Sequence, residues 1–285
     1  MDQNLYFYCY VIFNENISTM SGFANKVIWI TGASSGIGEA LAYKFSAEGA
    51  MLILSSRRAE ELERVKKACA NAGQVKVLPL DLMDISSFEA KTALAIGSFG
   101  HVDVMIHNGG ISQRSLVLET KLDIHRQVME LDYFSYVALT NQLLPHFISR
   151  KSGHFVVMSS VMGKIGTPMR SSYAAAKHAL HGFFDCLRAE VAGDNIKVTV
   201  LTPGYIRTNV ALNAITGDGT KLGHTGANIE NGLSADKAAD QILRAIAAGK
   251  YESYIGKFSM ERIALLMNRL SPDFVFKRAP KFAPK

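Results

Sequence analysis

The sequence predicts an α/β fold: a doubly wound parallel sheet with helices on both faces, in a single domain. Short β-branched apolar runs alternate with helix-period stretches along most of the chain, and that alternation builds a parallel sheet covered by helices. The first run ends in a glycine-rich turn that opens a helix, the Rossmann-type arrangement. No internal repeat or low-complexity linker divides the 285 residues, so one large domain suits the length better than two.

Strands are expected at 26–31, 50–55, 75–80, 102–107, 154–159, 196–202 and 252–255, and helices at 36–48, 58–72, 84–98, 120–149, 170–193, 234–248 and 258–270. The first strand, KVIWIT (Lys26 to Thr31), has the β-branched and aromatic content of a strand buried on both faces. It leads into Gly32-Ala33-Ser34-Ser35-Gly36-Ile37-Gly38 and the helical EALAYKFSAEGA. Glycines here let the backbone approach a pyrophosphate, and the helix N-terminus supplies amide donors and a favourable dipole. The spacing is TGxxxGxG rather than the commoner GxGxxG. A plain structural loop is the competing reading, and the flanking strand and helix favour a nucleotide site.

The second strand, MLILSS (Met51 to Ser56), ends without the acidic residue that would bind an NAD ribose and repel a 2′-phosphate. Ser56, Arg57 and Arg58 stand there instead. A guanidinium fork suits phosphate oxygens, so NADP(H) is the expected cofactor. Arg57 is the better phosphate candidate because it follows Ser56 directly. One of the two arginines is expected to be a solvated charge opening AEELERVKKA.

Further on, Ser159-Ser160 close an apolar strand-like run, and SSYAAAKHAL places Tyr173 and Lys177 four residues apart. Residues i and i+4 share a helix face. A cation beside a phenol favours its ionised form, which suits acid/base work at a carbonyl carbon. A lone YxxxK is weak, but a dinucleotide turn in the same chain strengthens it.

In combination, TGASSGIG, Asp81-Leu82, His107-Asn108-Gly109-Gly110, Ser159-Ser160, YAAAK and Pro203-Gly204 resemble the short-chain dehydrogenase/reductase family, typical single-domain type, over roughly Asn25 to Ile255. The resemblance implies that Asp81 and Leu82 border the adenine, and that Asn108 with Gly109 lines the cofactor. Pro203 and Gly204 lead to Thr208, which would contact the nicotinamide carboxamide region. Ser160 would polarise the substrate carbonyl and Tyr173 would carry the proton. Lys177 would hold the nicotinamide ribose and assist Tyr173. Two departures stand out. His107 replaces the first asparagine of the family's NNAG, with strand packing the expected effect. Asp132 takes the place of an asparagine that helps hold a relay water behind the lysine. A carboxylate can accept the same hydrogen bond but lacks the amide donor.

The stretch 204–233 interrupts the alternation with Gly217, Gly219, Gly223 and Gly226 and is expected to cover the substrate, with a plain surface loop as the alternative. Ile111, Met162, Ile165, Pro168, Met169, Tyr205, Val210 and Leu212 are its candidate pocket lining. The sequence leaves the direction of Lys164, Arg170 and Arg207 open, so a neutral, partly apolar carbonyl or alcohol is the expected substrate.

Apolar residues make up 48% of the chain and charged ones 20%, a globular composition. Cys9, Cys69 and Cys186 are dispersed without ligand spacing, which points to reduced thiols in a cytoplasmic setting and to no metal site. His178 and His181 read as packing or surface groups. The net charge of +6 lies mostly in the tail, at Lys257, Arg262, Arg269, Lys277, Arg278, Lys281 and Lys285, so nucleic acid is not an expected partner. LYFYCYVIF (Leu5 to Phe13) is far shorter than the ~20 residues that span a bilayer. Residues 1–24 read as an extension, either upstream of a start at Met20 or an arm over a neighbouring subunit. In 257–285, Phe258, Met260, Ile263, Leu266, Met267 and Leu270 recur at helical spacing. A core or subunit contact in a homodimer or homotetramer is favoured there over a membrane-surface helix. Pro272, Pro280 and Pro284 are expected to exclude further regular helix.

The leading expectation is an NADP(H)-dependent carbonyl reductase or alcohol dehydrogenase. A non-catalytic NADP-binding sensor or scaffold is the competing class, with Asp132 its sequence support. An epimerase or dehydratase of the same family is a third possibility.

Overall fold

A computed structural model describes residues 22–224 and 226–282. The expectations for Leu5 to Phe13 and Met20 lie outside the described residues. The strands are β1 (Val27–Thr31), β2 (Met51–Ser55), β3 (Val75–Val77), β4 (Val104–His107), β5 (Gly153–Met158), β6 (Ile196–Pro203), β7 (Ile206–Arg207), β8 (Leu233–Ser234) and β9 (Glu252–Ile255). Seven of them form one parallel sheet in the order β3-β2-β1-β4-β5-β6-β9, and β7 pairs with β8 in a separate parallel ribbon. The helices are α1 (Gly36–Ala47), α2 (Ala59–Ala68), α3 (Phe88–Phe99), α4 (Leu122–Met129), α5 (Ser135–Arg150), α6 (Ser171–Glu190), α7 (Ala227–Glu230), α8 (Ala235–Ala247), α9 (Met260–Leu270) and α10 (Pro272–Arg278).

Side chains alternate across each strand, and both faces of this sheet are apolar. Ile28 and Ile30 of β1 join Leu52 and Leu54 of β2 in a core with Leu41 and Phe45 of α1, Leu62 of α2 and Ile242 of α8. Val27 and Trp29 face the other way, with Phe155, Val157, Tyr136, Leu143, Leu180 and Phe184. The order reverses beside β1, where strand 4 follows strand 1, and ligands bind at such a switch point beyond the carboxyl strand ends. Every candidate motif lies at those ends.

Two local readings change. The helix expected over 120–149 is interrupted by a π-helical turn at Glu130–Phe134, which contains Asp132. Such turns insert an extra residue, re-aim side chains, and recur at functional sites. Pro272 does not exclude helix: it occupies the first turn of α10, where its missing N–H has no helical partner to lose. The stretch 204–233 is also more ordered than a bare loop. It holds β7, α7 and β8, and Ile215 is clamped to the segment after β4 through Ile215 N–H to Ser112 O (2.8 Å) and Arg114 N–H to Ile215 O (2.8 Å).

Candidate active site

The glycine turn is packed too tightly for side chains. Gly32 has φ +65°, and a Cβ there would sit 2.7 Å from Gly109 Cα. A Cβ on Gly38 would lie 2.4 Å from the carbonyl oxygen of Gly32, and one on Gly36 would press on Thr208 at 3.3 Å. Thr31 ties this turn to the end of β4: its hydroxyl oxygen accepts from Asn108 N–H (3.0 Å) and Gly109 N–H (3.2 Å). Asn108 Nδ2 returns a bond to Thr31 O at 3.0 Å. No side chain caps the start of α1 at Ser35, so its first amides are available to an anion. A bare-backbone cradle with uncapped amides fits a dinucleotide pyrophosphate.

Around that cradle, Leu82 is buried, and its Cδ1 occupies the space a Cβ on Gly109 would need. Asp81 is exposed and accepts from Met83 N–H at 3.0 Å. Ile37 packs against the core beneath the turn. Of the two arginines, Arg58 reaches the cradle, donating to Ser34 Oγ (3.0 Å) and Ser35 Oγ (3.3 Å). Arg57 is exposed. Pro203 pairs with Ile255, and Gly204 N–H donates to Ile255 O at 2.9 Å, fixing the segment that carries Thr208.

The Ser, Tyr and Lys candidates stand on two elements that grip each other. Ser160 follows β5, and its hydroxyl oxygen accepts from Met162 N–H (3.2 Å), which leaves its proton free to donate. Its neighbour Ser159 is buried and donates to the Lys177 carbonyl at 3.2 Å. Half-buried Tyr173 and buried Lys177 project from α6, with Lys177 Nζ 5.6 Å from the Tyr173 ring centre. Lys177 Nζ donates to Met158 O (3.2 Å) and lies 5.3 Å from the Tyr136 ring centre.

Asp132 completes the group. Its Oδ1 accepts from Ile111 N–H at 2.8 Å, and its Oδ2 faces Lys177 Nζ at 3.2 Å, as an ion pair without hydrogen-bond alignment. Both side chains are shut from water, at 0% and 4% exposure. Burial, the largest single influence, would lower the basicity of Lys177, but the Asp132 carboxylate together with the Tyr136 and Tyr173 phenols holds the ammonium above its ordinary value. Burial also pushes the Asp132 carboxyl up, against the Lys177 charge and the Ile111 amide.

His107 sits in the core, with Nε2 2.9 Å from Thr140 Oγ1 and its ring stacked on Tyr136. Burial lowers its pKa to about 3, so it stays neutral. Several side chains outside the predicted catalytic set support the site; the sequence suggests His181 as a packing or surface group, leaves the direction of Arg170 open, and does not single out Tyr136. Tyr136, four residues after Asp132, donates to Gly109 O at 2.9 Å and so links the π turn to the cradle. His181, four residues after Lys177, meets Ser159 Oγ at 3.0 Å and is buried. The i+4 spacing was the available signal in both cases. Arg170 lies one turn before Tyr173, donates to Ser112 Oγ and stands 6.0 Å from the Tyr173 ring centre. Burial, then Arg114, lowers its basicity. Of the candidate lining residues, Met169 borders a cavity of about 340 Å3 together with Arg114, Ser115, Glu119, Thr216, Gly217 and Asp218. Tyr205, Val210 and Leu212 are exposed.

The chain as a whole is matched by known proteins. The family model for short chain dehydrogenases covers residues 26–218. The chain belongs to the short-chain dehydrogenase/reductase family. Dehydrogenase/reductase SDR family member 7B of Mus musculus is 40% identical over 283 residues, 96% of this chain and 87% of the relative. Dehydrogenase/reductase SDR family protein 7-like of Drosophila melanogaster is 44% identical over 265 residues, 90% of this chain and 81% of the relative. Among solved structures, a short-chain dehydrogenase from Streptomyces avermitilis superposes with a TM-score of 0.78 at 29% identity, covering 91% of this chain and 97% of that one. A short chain dehydrogenase/reductase from Burkholderia phymatum in complex with NAD gives a TM-score of 0.78 at 20% identity, over 88% and 95% of the two chains, and shows the shared fold. The family is one of oxidoreductases that use a nicotinamide dinucleotide. Among the described residues no helix is long and apolar enough to cross a membrane.

Proposed function

We propose that this protein transfers a hydride between NADP(H) and a neutral, partly apolar carbonyl or alcohol in a cytoplasmic setting. The carrying observation is the placement of Tyr173 one turn before a buried, ion-paired Lys177 on α6, at the strand ends that also hold the glycine cradle. When bound, the nicotinamide supplies or accepts the hydride. In the reductive direction the Ser160 hydroxyl donates to the carbonyl oxygen and so draws charge from its carbon. Tyr173 gives that oxygen a proton as it becomes an alcohol. Lys177, fixed by Met158 O and Asp132, keeps a positive charge beside the phenol as it loses its proton, and its ammonium would hold the nicotinamide ribose.

Preference for NADP(H) rests on the absence of an acid after β2. Arg58 stands over Ser34 and Ser35, and exposed Arg57 beside it can reach a 2′-phosphate. A binding-only sensor is the second reading, favoured by the Asp132 carboxylate that neutralises Lys177. A panel of ketones and aldehydes followed by loss of NADPH absorbance separates the two. Turnover of at least one panel member supports the reductase, and tight NADPH binding with none supports the sensor.

A further inference from the structure

The helices after β9 form a surface that the fold itself does not use. Neither α9 nor α10 contains a buried residue. One side of α9 is tied down: Glu261 Oε1 accepts from Tyr205 N–H (3.2 Å), Ser259 Oγ donates to Glu261 Oε2 (2.7 Å), and Asn268 Nδ2 donates to Lys164 O (3.0 Å). The opposite side carries Met260, Ile263, Leu266 and Leu270 at three- and four-residue steps, a continuous stripe on a helix. Met260 is 71% exposed, Leu266 58% and Leu270 70%, and Phe258 and Phe276 extend the patch at 79% and 59%.

Charge identifies what covers it. Residues 257–285 hold seven basic side chains, Lys257, Arg262, Arg269, Lys277, Arg278, Lys281 and Lys285, against two acids, Glu261 and Asp273. That excess of five accounts for most of the chain's +6, and Glu261 is turned inward on its hydrogen bonds. Two of the basic groups stand against aromatic rings of these segments: Arg262 lies 6.0 Å from the Phe258 ring centre, and Arg278 4.5 Å from that of Phe274.

We infer that α9 and α10 dock the protein on an anionic lipid surface. A helix in the bilayer interface sinks its leucines and aromatic rings to the acyl boundary, while arginine and lysine stems run alongside and place their charges at the headgroups. Anionic headgroups neutralise the positive excess. A second copy of the chain would bring the same positive charge against itself, and the cores of subunit interfaces are depleted of charged residues. This departs from the sequence expectation of a core or subunit contact. Through Glu261 and Tyr205 the docked helix sits at the edge of the 204–233 segment. The inference is independent of the proposed hydride transfer, because docking is measured without turnover.

The test is co-flotation of the full chain with phosphatidylcholine vesicles containing 30 mol% phosphatidylserine, and with phosphatidylcholine alone. Binding to the anionic vesicles, weak binding to the neutral ones, and weakening at 0.5 M salt are expected. Arg262→Glu/Arg269→Glu should lower the partition coefficient by roughly tenfold or more, and Leu266→Ser/Leu270→Ser should do the same, with NADPH binding retained in both. Should the leucine variant fail to fold, the charge-reversal variant decides, since both arginines are exposed. Absence of wild-type binding to anionic vesicles overturns the inference. So does binding unchanged in the charge-reversal variant, which would assign it to another part of the chain. A wild-type oligomer that falls to monomer in the leucine variant, without vesicle binding, would give the patch to a second copy instead.

Discussion

Asp132→Asn keeps an oxygen for Ile111 N–H, now at 2.8 Å from Oδ1, but removes the charge 3.2 Å from Lys177. With an effective dielectric of about 20, two unit charges at that distance attract by about 5 kcal/mol. Desolvation offsets most of that within the intact pair, so its net worth is small. The single substitution uncovers the desolvation cost. An unpaired buried ammonium should cost about 3–5 kcal/mol, toward the lower end because Lys177 keeps Met158 O at 3.2 Å and the Tyr136 ring. A double-mutant cycle of wild type, Asp132→Asn, Lys177→Met and the double variant, followed by urea unfolding at pH 7.5, isolates the term. The coupling energy should be about 2 kcal/mol or more, with the double variant regaining much of the loss. The folded pKa of Lys177 is raised, so the stability it contributes is fully present below its unfolded value and is lost only as pH rises through the folded one. Between pH 7.5 and 9 the coupling should therefore stay constant. Effects that add within ~0.5 kcal/mol would refute the ion pair. The same Asp132→Asn variant should change kcat or its pH dependence modestly and leave turnover measurable.

Wild type should bind NADPH more tightly than NADH. Arg57→Ala and Arg58→Ala should each narrow the difference by roughly tenfold, the worth of about one charge-assisted contact, and equal dissociation constants in the wild type would contradict this. Burial lowers the pKa of His107 to about 3 and those of His154 and His181 to about 4. These folded values lie below the unfolded one, so the stability is complete above about pH 6.5 and is lost as pH falls toward 4, by up to ~1.4 kcal/mol per histidine per pH unit. Urea midpoints should drop from pH 7.5 to 5.5, and a flat profile would count against neutral buried rings. Gly38→Ala should abolish tight NADPH binding while the sheet still folds, because its methyl group meets the Gly32 carbonyl oxygen; unchanged affinity, measured by fluorescence titration, would contradict the close-packed cradle.

What the sequence disclosed was mostly what short-range chemistry controls. Buried strands such as KVIWIT advertise themselves because both faces are apolar, and the turn after β1 because only glycine fits its backbone. The expected strand set matches the seven strands of the sheet, with ends shifted by a few residues. Contacts between distant segments were less visible. The π turn at Glu130–Phe134 coincides with the site where Asp132 meets Ile111 and Lys177, a tertiary coincidence that helical periodicity does not encode. The reach of Arg58 to Ser34 and Ser35 depends on how α2 leaves β2, which adjacency to Ser56 does not reveal. Pro272 was read by its usual role as a breaker, whereas at the first turn of a helix the same ring is favourable. The order within 204–233 comes from Ile215 pairing with the segment after β4, a long-range contact that glycine content hides.

Tyr173→Phe tests the central claim most directly, since it keeps the ring on α6 and removes only the phenol hydroxyl proposed to carry the proton. NADPH affinity, by fluorescence titration, and kcat on the best substrate of the carbonyl panel should be measured on wild type and variant together. Affinity should be nearly unchanged and kcat should fall by about 10^2-fold or more, the usual contribution of a positioned acid. A phenylalanine variant that keeps near-wild-type kcat would contradict the assignment.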